Sequence, residues 1–526
     1  TLGGVVLIPA SSSVIDRIYT GGAPAHMVMH PHKPIGYAAD LEQPIVYIFT
    51  TDLDELRMTP RATPLNLTDT LSLLLPLSPA LGGRMRGFTG IAISEDGEEL
   101  FLTTPGGATW RGTDEGLTPG FLIRINTEHG YPEMAVTLGH KPFGVAVVDV
   151  DGARRAAVAV RGSETTGFTV VDSDFGRIDR SLTQATNLRG YEPSVISSMV
   201  NINSAGTGAG DMGWEDQIDR RNKMMFDIES AEDIIFSYGQ QAAFVLFNNT
   251  FSSQIREIMA VTREGLVADI QRDPHRGRGG NIGIILNPLD PEKTTGFIVA
   301  TEEYPYAWPD QLAFGPFGQH LYATYRGINK VMVYDSYAML AYIELLGKYN
   351  PQAVTRPDPA NPYAVRKPLE VLATELRLAA QHVGDMVEYL EANNPDGLES
   401  LLSTYSAAAS PEDMITKQVR EEISVLPAKI LLTEIAVGRV PVGISRDVPS
   451  SGIDLKIQKA TWKAIDPSTT PFVRVHYVVK GNVAPNFEIA VYQSDDDALD
   501  ADDAEMLRLT VDSLIHSAPG YHAIDL

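Results

Sequence analysis

Apolar runs of three to five residues, set off by short polar stretches, recur along this chain in one fixed order. The order is clearest in four segments, which open on Met27-Val28-Met29, Ile91-Ala92-Ile93, Val145-Ala146-Val147 and Leu312-Ala313-Phe314. A polar, turn-forming stretch follows each: His30-Pro31-His32, Ser94-Glu95-Asp96-Gly97, Asp149-Val150-Asp151-Gly152 and Gly315-Pro316-Phe317-Gly318. A second apolar run comes next (Tyr37-Ala38-Ala39 in the first segment, Leu321-Tyr322-Ala323 in the last). An alternating third run then ends on Asp52, Asn126, Asp172 or Asp335. Strand, tight turn, strand, loop, strand, repeated, is the pattern of a β-propeller blade.

A lone antiparallel sheet of three or four strands cannot bury both of its faces, so such units must stack on one another. Strands covered on both faces lose strict alternation and become short apolar runs, as the first two runs here do. The segments begin at 27, 91, 145 and 312, and the long last interval leaves room for two degenerate units. Asp233–Phe236 onward and Asn281–Ile285 onward are the candidates for these. At roughly 40–50 residues per blade, residues 1–345 are predicted to form a six- or seven-bladed β-propeller. Its opening strand, Val5–Ile8, is expected to close the ring beside Val331–Tyr334, which would remove two free sheet edges. Four unrelated hairpins in a sandwich are the competing reading.

Past residue 345 the pattern changes. Residues 346–428 read as a proline-punctuated linker and a helical segment. Leu369, Leu372, Leu376, Ala379, Val383, Met386, Val387 and Leu390 recur at helical spacing. Leu398–Tyr405 reads as a second helix, and Ser410-Pro411-Glu412-Asp413 as the start of a third that Pro427 stops. Such a unit serves as a spacer on the propeller rim or as a partner-binding hairpin. Residues 429–526 return to alternating strands, notably Phe472–Val479, Phe487–Tyr492 and Leu507–Val511, the signature of an incomplete β-sandwich.

The run from Pro309 to Asp335, with its three partners, resembles the YVTN/NHL-like propeller repeats of large bacterial surface or secreted proteins. The stretch from Phe487 to the end, with Ser494-Asp495-Asp496-Asp497 and Pro519-Gly520, resembles the Ig-like adhesion modules of the same kind of protein. The resemblance implies a mainly β fold: propeller, short helical segment, C-terminal Ig-like sandwich. Both folds host many functions, so it is nearly silent on activity.

Composition narrows the partners. The formal net charge of −25 argues against nucleic acid and anionic membranes, which need clustered Lys and Arg. With no cysteine in 526 residues, disulfides, thiolate catalysis and Cys-based metal sites drop out. No apolar stretch approaches the ~18 residues of a membrane span, so no membrane insertion is expected. Thr1 lacks a basic leader beside it, and the chain stops at Ile524-Asp525-Leu526 within what reads as a strand. An excised piece of a larger exported protein, extracellular or on a bacterial cell surface, is the resulting expectation.

Sequence motifs for chemistry are sparse. No Walker loop, H-E-x-x-H or G-x-S-x-G is present. Gly208, Gly210 and Gly213 spell G-x-G-x-x-G, but Asp211 inside the loop would repel phosphate and no βαβ pattern surrounds it. His26, His30 and His32 are the one histidine cluster; they suit a channel metal or simply form a blade turn. Asp495, Asp497, Asp500 and Asp502 supply hard oxygen ligands in one loop, which suits calcium, although the same run reads as a solvated acidic turn. Propellers bind at the channel ends, where loops converge, which selects His26, Trp308 and Asp310 as candidate ligand contacts. The functional expectation is a non-enzymatic binding and scaffolding module. A protein or glycan would sit at the propeller face, with the Ig-like unit as spacer between other domains of a larger parent chain. The alternative is a lactonase- or hydrolase-like propeller enzyme with a metal in its central channel.

Overall fold

Leu100, Phe101 and Leu102 are consecutive, all essentially buried, and they enter two different apolar clusters. Leu100 and Leu102 pack with Tyr37, Val46 and Ile123, whereas Phe101 packs with Leu122, Val145 and Val158. Successive strand residues point to opposite faces, so this strand belongs to a sheet covered on both sides. That is the arrangement the apolar runs predicted.

The computed structural model describes residues 4–7, 16–52, 54–55, 57–61, 63–74, 87–104, 121–137, 142–150, 153–161, 166–172, 177–178, 231–249, 279–288, 298–299, 304–305, 307, 309–315, 317–349, 368–397, 417–437, 453–463, 472–481, 483–493 and 504–526. A short hairpin comes first, β1 (Gly4–Leu7) with β2 (Asp16–Tyr19). Five antiparallel sheets follow among the described residues, each built outward from an inner strand. The first holds β3 (Pro24–Met29), β4 (Ile35–Asp40), β5 (Ile45–Asp52) and β6 (Arg57–Pro60), with β7 (Leu65–Asn66) also on β5. Helix α1 (Thr68–Leu74) leads to β8 (Gly90–Ile93), β9 (Glu99–Thr104), β10 (Phe121–Asn126) and β11 (Pro132–Thr137). The third sheet is β12 (Pro142–Val150), β13 (Ala153–Arg161), β14 (Thr166–Asp172) and β15 (Arg177–Ile178). The fourth is β16 (Ala231–Phe236), β17 (Ala242–Asn249), β18 (Gly279–Leu286) and β19 (Ile298–Val299), with β20 (Tyr304–Pro305) on β18. The fifth has β21 (Pro309–Phe314), β22 (His320–Tyr325), β23 (Lys330–Asp335) and β24 (Leu431–Ala436).

The inner strands lie side by side in chain order, β3 on β8, β8 on β12, β12 on β16 and β16 on β21. Strand β21 then returns to β3, because the Gln311 amide hydrogen-bonds both the N–H and the C=O of Met27 (3.2 and 3.0 Å). A ring of stacked four-stranded sheets is a propeller-like fold. Six or seven blades were expected where the described residues hold five such sheets. The two degenerate candidates, at Asp233 and at Asn281, are strands of one sheet, β16–β17–β18. Residues 250–278, outside the described set, intervene between those strands and made one blade look like two.

Repeat chemistry explains the local turns. Three of the five inner hairpins close the same way: Ser94, Ser237 and Gly315 accept from the residue three further on, and Gly97 and Gly318 take positive φ there (78° and 71°). The terminal Asx residues also act alike. Asp52 Oδ1 accepts the N–H groups of Asp54 and Glu55, and Asn126 Oδ1 those of Glu128 and His129. Asp335 Oδ1 accepts from Ala338 and so caps a helix instead, α2 (Ser336–Tyr349). This helix was not expected: it runs past residue 346, where a linker was predicted to begin.

Helix α2, with α3 (Leu369–Asn393) and α4 (Lys417–Ser424), packs on the fifth sheet through Tyr334, Tyr342, Leu346, Leu376 and Ile423. The predicted stripe is realised in α3, which buries Leu369, Leu376, Val383 and Val387. Arg377 of α3 ties the group together, donating to Tyr342 Oη (2.6 Å) and to the Ile423 and Leu426 carbonyls at the end of α4. The expected helix over Leu398–Tyr405 and the Ser410 cap lie outside the described residues. The chain then supplies β24, which pairs with β23 in the place expected for Val5–Ile8. Strand β1 pairs with β2 instead, in the register Val5↔Ile18.

Two small sheets end the chain: β25 (Ile453–Lys463), β26 (Phe472–Gly481) and β29 (Gly520–Asp525) in one, β27 (Phe487–Gln493) and β28 (Ala504–Val511) in the other. They share a core of Val473, Val475, Tyr477, Val479, Ile489 and Val511, and α5 (Leu514–Ser517) precedes β29. This unit docks on the fifth sheet, where Gly481 N–H donates to the Phe317 carbonyl (3.1 Å) and Gln319 to Tyr521 Oη (3.4 Å).

Candidate functional site at the inner strand ends

Superposing the repeats by their apolar runs puts His26, Gly90, Gly144, Asp233 and Gln311 at one position, just before the run. Ala25, Thr89, Phe143, Glu232 and Asp310 come one residue earlier. Register breaks fall at this place in four of the five sheets: Pro24/Met27, Pro142/Val145, Ala231/Asp233 and Pro309/Leu312. A bulge at a strand end re-aims side chains and is common beside functional sites. Here it turns polar groups toward neighbouring inner strands.

Several of these groups join one sheet to the next. Asp233 Oδ2 accepts the N–H of Leu312 (2.8 Å). Thr89 Oγ1 donates to the Pro142 carbonyl (2.6 Å), and Thr103 Oγ1 to that of Phe143. Gln311 closes the ring on Met27, with its own N–H held by Thr324 Oγ1 (3.0 Å). Gly144 is needed for clearance, because a Cβ there would collide with the Asp233 carboxylate.

Around these bonds lies a buried cluster of titratable groups. His26 is 5% exposed, Asp310 8%, Asp233 5% and Glu232 2%. Arg326, in the turn after β22, pairs with Asp310 at 3.3 Å. Burial, with the Arg326 charge second, pushes the His26 imidazole down to about 4, although its hydrogen bond to the Asp310 backbone acts the other way. Burial pushes the Asp233 carboxyl up to about 8; hydrogen bonds from the Leu312 and Ile234 backbone oppose this, and the Glu232 and Asp310 charges add to it. At neutral pH the imidazole is therefore uncharged and Asp233 is protonated.

Of the expected contacts, His26 and Asp310 are brought together; Trp308 lies outside the described residues. Asp310 sits within β21 and is buried and ion-paired, where the sequence placed it just ahead of a strand. The histidine cluster divides: His30 lies at the far end of β3, its Nδ1 accepting the His32 N–H (3.0 Å), with the Gly97 turn against its ring. Asp495, Asp497, Asp500 and Asp502 lie outside the described residues, as do Gly208, Gly210 and Gly213. Among the described residues, no three of His, Asp and Glu gather closely enough to hold a metal ion. Among them, too, no helix is long and apolar enough to cross a membrane. Sequence reasoning missed Glu232, Asp233, Gln311 and Arg326 as site residues. A polar residue ahead of the wholly apolar Ile234-Ile235-Phe236 was the available signal for this position.

No protein-family model and no curated protein matches the chain. Among solved structures, it is similar to hydrazine synthase of Kuenenia stuttgartiensis at 12% identity, over 85% of this chain and 84% of that one, with a TM-score of 0.41. A nidogen/laminin complex aligns at 10% identity over 63% and 84% (TM-score 0.32), and the Dos1 propeller at 8% over 63% and 61% (TM-score 0.32). All three TM-scores lie under 0.5, so the fold assignment rests on the strand pairings above.

Proposed function

We propose that this chain is a non-enzymatic binding and scaffolding module whose ring of sheets presents a rigid face to a protein or glycan. The observation that carries this reading is the set of side-chain clasps at the inner strand ends. Asp233, Gln311 and Thr89 spend their polar atoms on neighbouring backbone, which fixes the face from which ligand contacts project. His26 and Asp310, with Arg326, are the contacts proposed at that channel end, and Trp308 is proposed beside them. The C-terminal sandwich is read as an Ig-like spacer, and the parent as an exported bacterial surface protein with further domains on either side.

A second reading has one observation in its favour. A buried acid pushed up and a buried imidazole pushed down are the perturbations that catalytic clefts produce. A hydrolase or lactonase of this kind would use Asp233 as a proton donor. The test is paired. The full chain is applied to protein and glycan arrays, and hits are retested with His26→Gln and Asp310→Asn variants that keep the wild-type melt. The same protein is assayed on lactones and esters with and without added divalent metals. Binding weakened at least tenfold in both variants, without turnover, supports the module; turnover abolished by Asp233→Asn overturns it.

A further inference from the structure

Among the described residues, the long strand β25 leaves its apolar side uncovered. Its register on β26 sets Leu455 opposite Val479, Ile457 opposite Tyr477, Ala460 opposite Val475 and Trp462 opposite Val473. Those four β26 residues face the core shared with the second sheet. Leu455, Ile457 and Trp462 must therefore lie on that same face, yet they are 43%, 61% and 54% exposed. Among the described residues the opposing sheet has two strands, β27 and β28, and it leaves these three side chains exposed. Among the described residues β25 pairs with β26 alone, and no described strand lies along its other backbone edge.

An open edge of eleven residues with an apolar row is a template for an added strand. The other face of β25 says what that strand must carry. Lys456 and Lys459, both exposed, stand there with Asp454, in a chain whose net charge is −25. Directly opposed residues on neighbouring strands interact, so carboxylates belong across from the two lysines and apolar side chains across from the Leu455–Ile457–Trp462 row. A second copy of β25 meets this poorly. The antiparallel register that overlaps the two strands from Ile453 to Trp462 sets Lys456 against Lys459 of the copy, and the register that sets Lys456 against Asp454 overlaps only residues 453–457.

We infer that β25 receives an extended segment of a partner protein in which acidic and apolar residues alternate, added as the outer strand of the β25–β26–β29 sheet. The segment lengthens the exposed apolar row, and its carboxylates pair with Lys456 and Lys459. This surface lies outside the channel cluster, and the inference does not depend on what that cluster binds.

The probe is a fluorescein-labelled eleven-residue peptide alternating valine with glutamate, followed by anisotropy against the full-length chain. Saturable binding is expected, weakened at least tenfold by the double variant Lys456→Glu/Lys459→Glu and by Ile457→Lys. A valine–lysine peptide should show the reverse preference, binding the charge-reversed variant better than the wild type. These sites are exposed, so the variants should keep the wild-type melt. Equal binding of both peptides, or binding unchanged by the variants, overturns the inference. So does self-association of the free chain in sedimentation equilibrium that Ile457→Lys abolishes, because a second copy would then own the edge. Shielding of Trp462 in the free protein, read as the acrylamide quenching lost on Trp462→Phe, likewise overturns it.

Discussion

Replacing Asp233 by Asn should change how stability depends on pH, and the sign follows from its burial. A carboxyl raised to about 8 in the fold, against 3.8 when exposed, keeps its proton natively where the unfolded chain has lost it. The native state thus binds more protons between those limits, and stability falls as pH rises through them. Each unit is worth about 1.4 kcal/mol, so pH 5 to 7.5 removes about 3 kcal/mol. His26 acts oppositely. Its folded value near 4, below the ordinary 6.5, makes stability rise by about 3 kcal/mol from pH 4 to 6.5. In the wild type the two largely offset one another below pH 6.5, and above it only the Asp233 loss continues. Asn keeps an oxygen to accept the Leu312 N–H but cannot ionise. Urea melts from pH 4.5 to 8 should therefore show the variant gaining on the wild type by about 3 kcal/mol between pH 5 and 7.5. A difference curve that is flat, or that slopes the other way, would refute the assignment of a buried neutral acid.

Three further outcomes follow from the packing. Gln311→Leu strands the Met27 N–H and C=O, so a denaturant melt should show about 1–3 kcal/mol lost, and an unchanged midpoint would mean that the ring is closed by other contacts. Deleting residues 1–10 removes β1, which pairs only with β2 among the described residues, so the melting temperature should move little; a sharp fall would restore the N-terminal strand as the ring's closure. If Asp495, Asp497, Asp500 and Asp502 ligate calcium, roughly ten millimolar calcium should stabilise the full chain by about 1.4–2.7 kcal/mol. Magnesium should do much less, and an undiminished calcium effect in Asp497→Asn/Asp500→Asn would remove the loop from consideration.

Apolar runs and turn residues made the blade legible, because both report constraints that a doubly covered sheet imposes locally. Leu100–Leu102 and the Gly97 and Gly318 turns behave as read. What escaped was decided at long range. Nothing near Leu431 announces that it pairs with Tyr334, and nothing between Phe236 and Asn281 says that one sheet continues past the insertion. Asp335 looked like another loop-starting Asx residue; whether such a side chain seeds a turn or a helix depends on the apolar stripe after it, here Ala338, Tyr342 and Leu346. His26 and Asp310 were visible as polar residues beside apolar strands. Arg326 was not, because it reaches the cluster from a turn on the far side of β22.

The outer strand of the fifth sheet also sets a schedule. Strand β23 ends at Asp335 and β24 begins at Leu431, so 95 residues separate two partners in one sheet. At synthesis rates of roughly 5–20 residues per second, β23 waits about 5–20 s after emerging before its neighbour exists. During that interval its unpaired edge is a nascent-chain hazard, and α2 and α3, made in the meantime, are what can cover the sheet. A ribosome-bound chain ending near residue 345 would carry a propeller still missing its last edge.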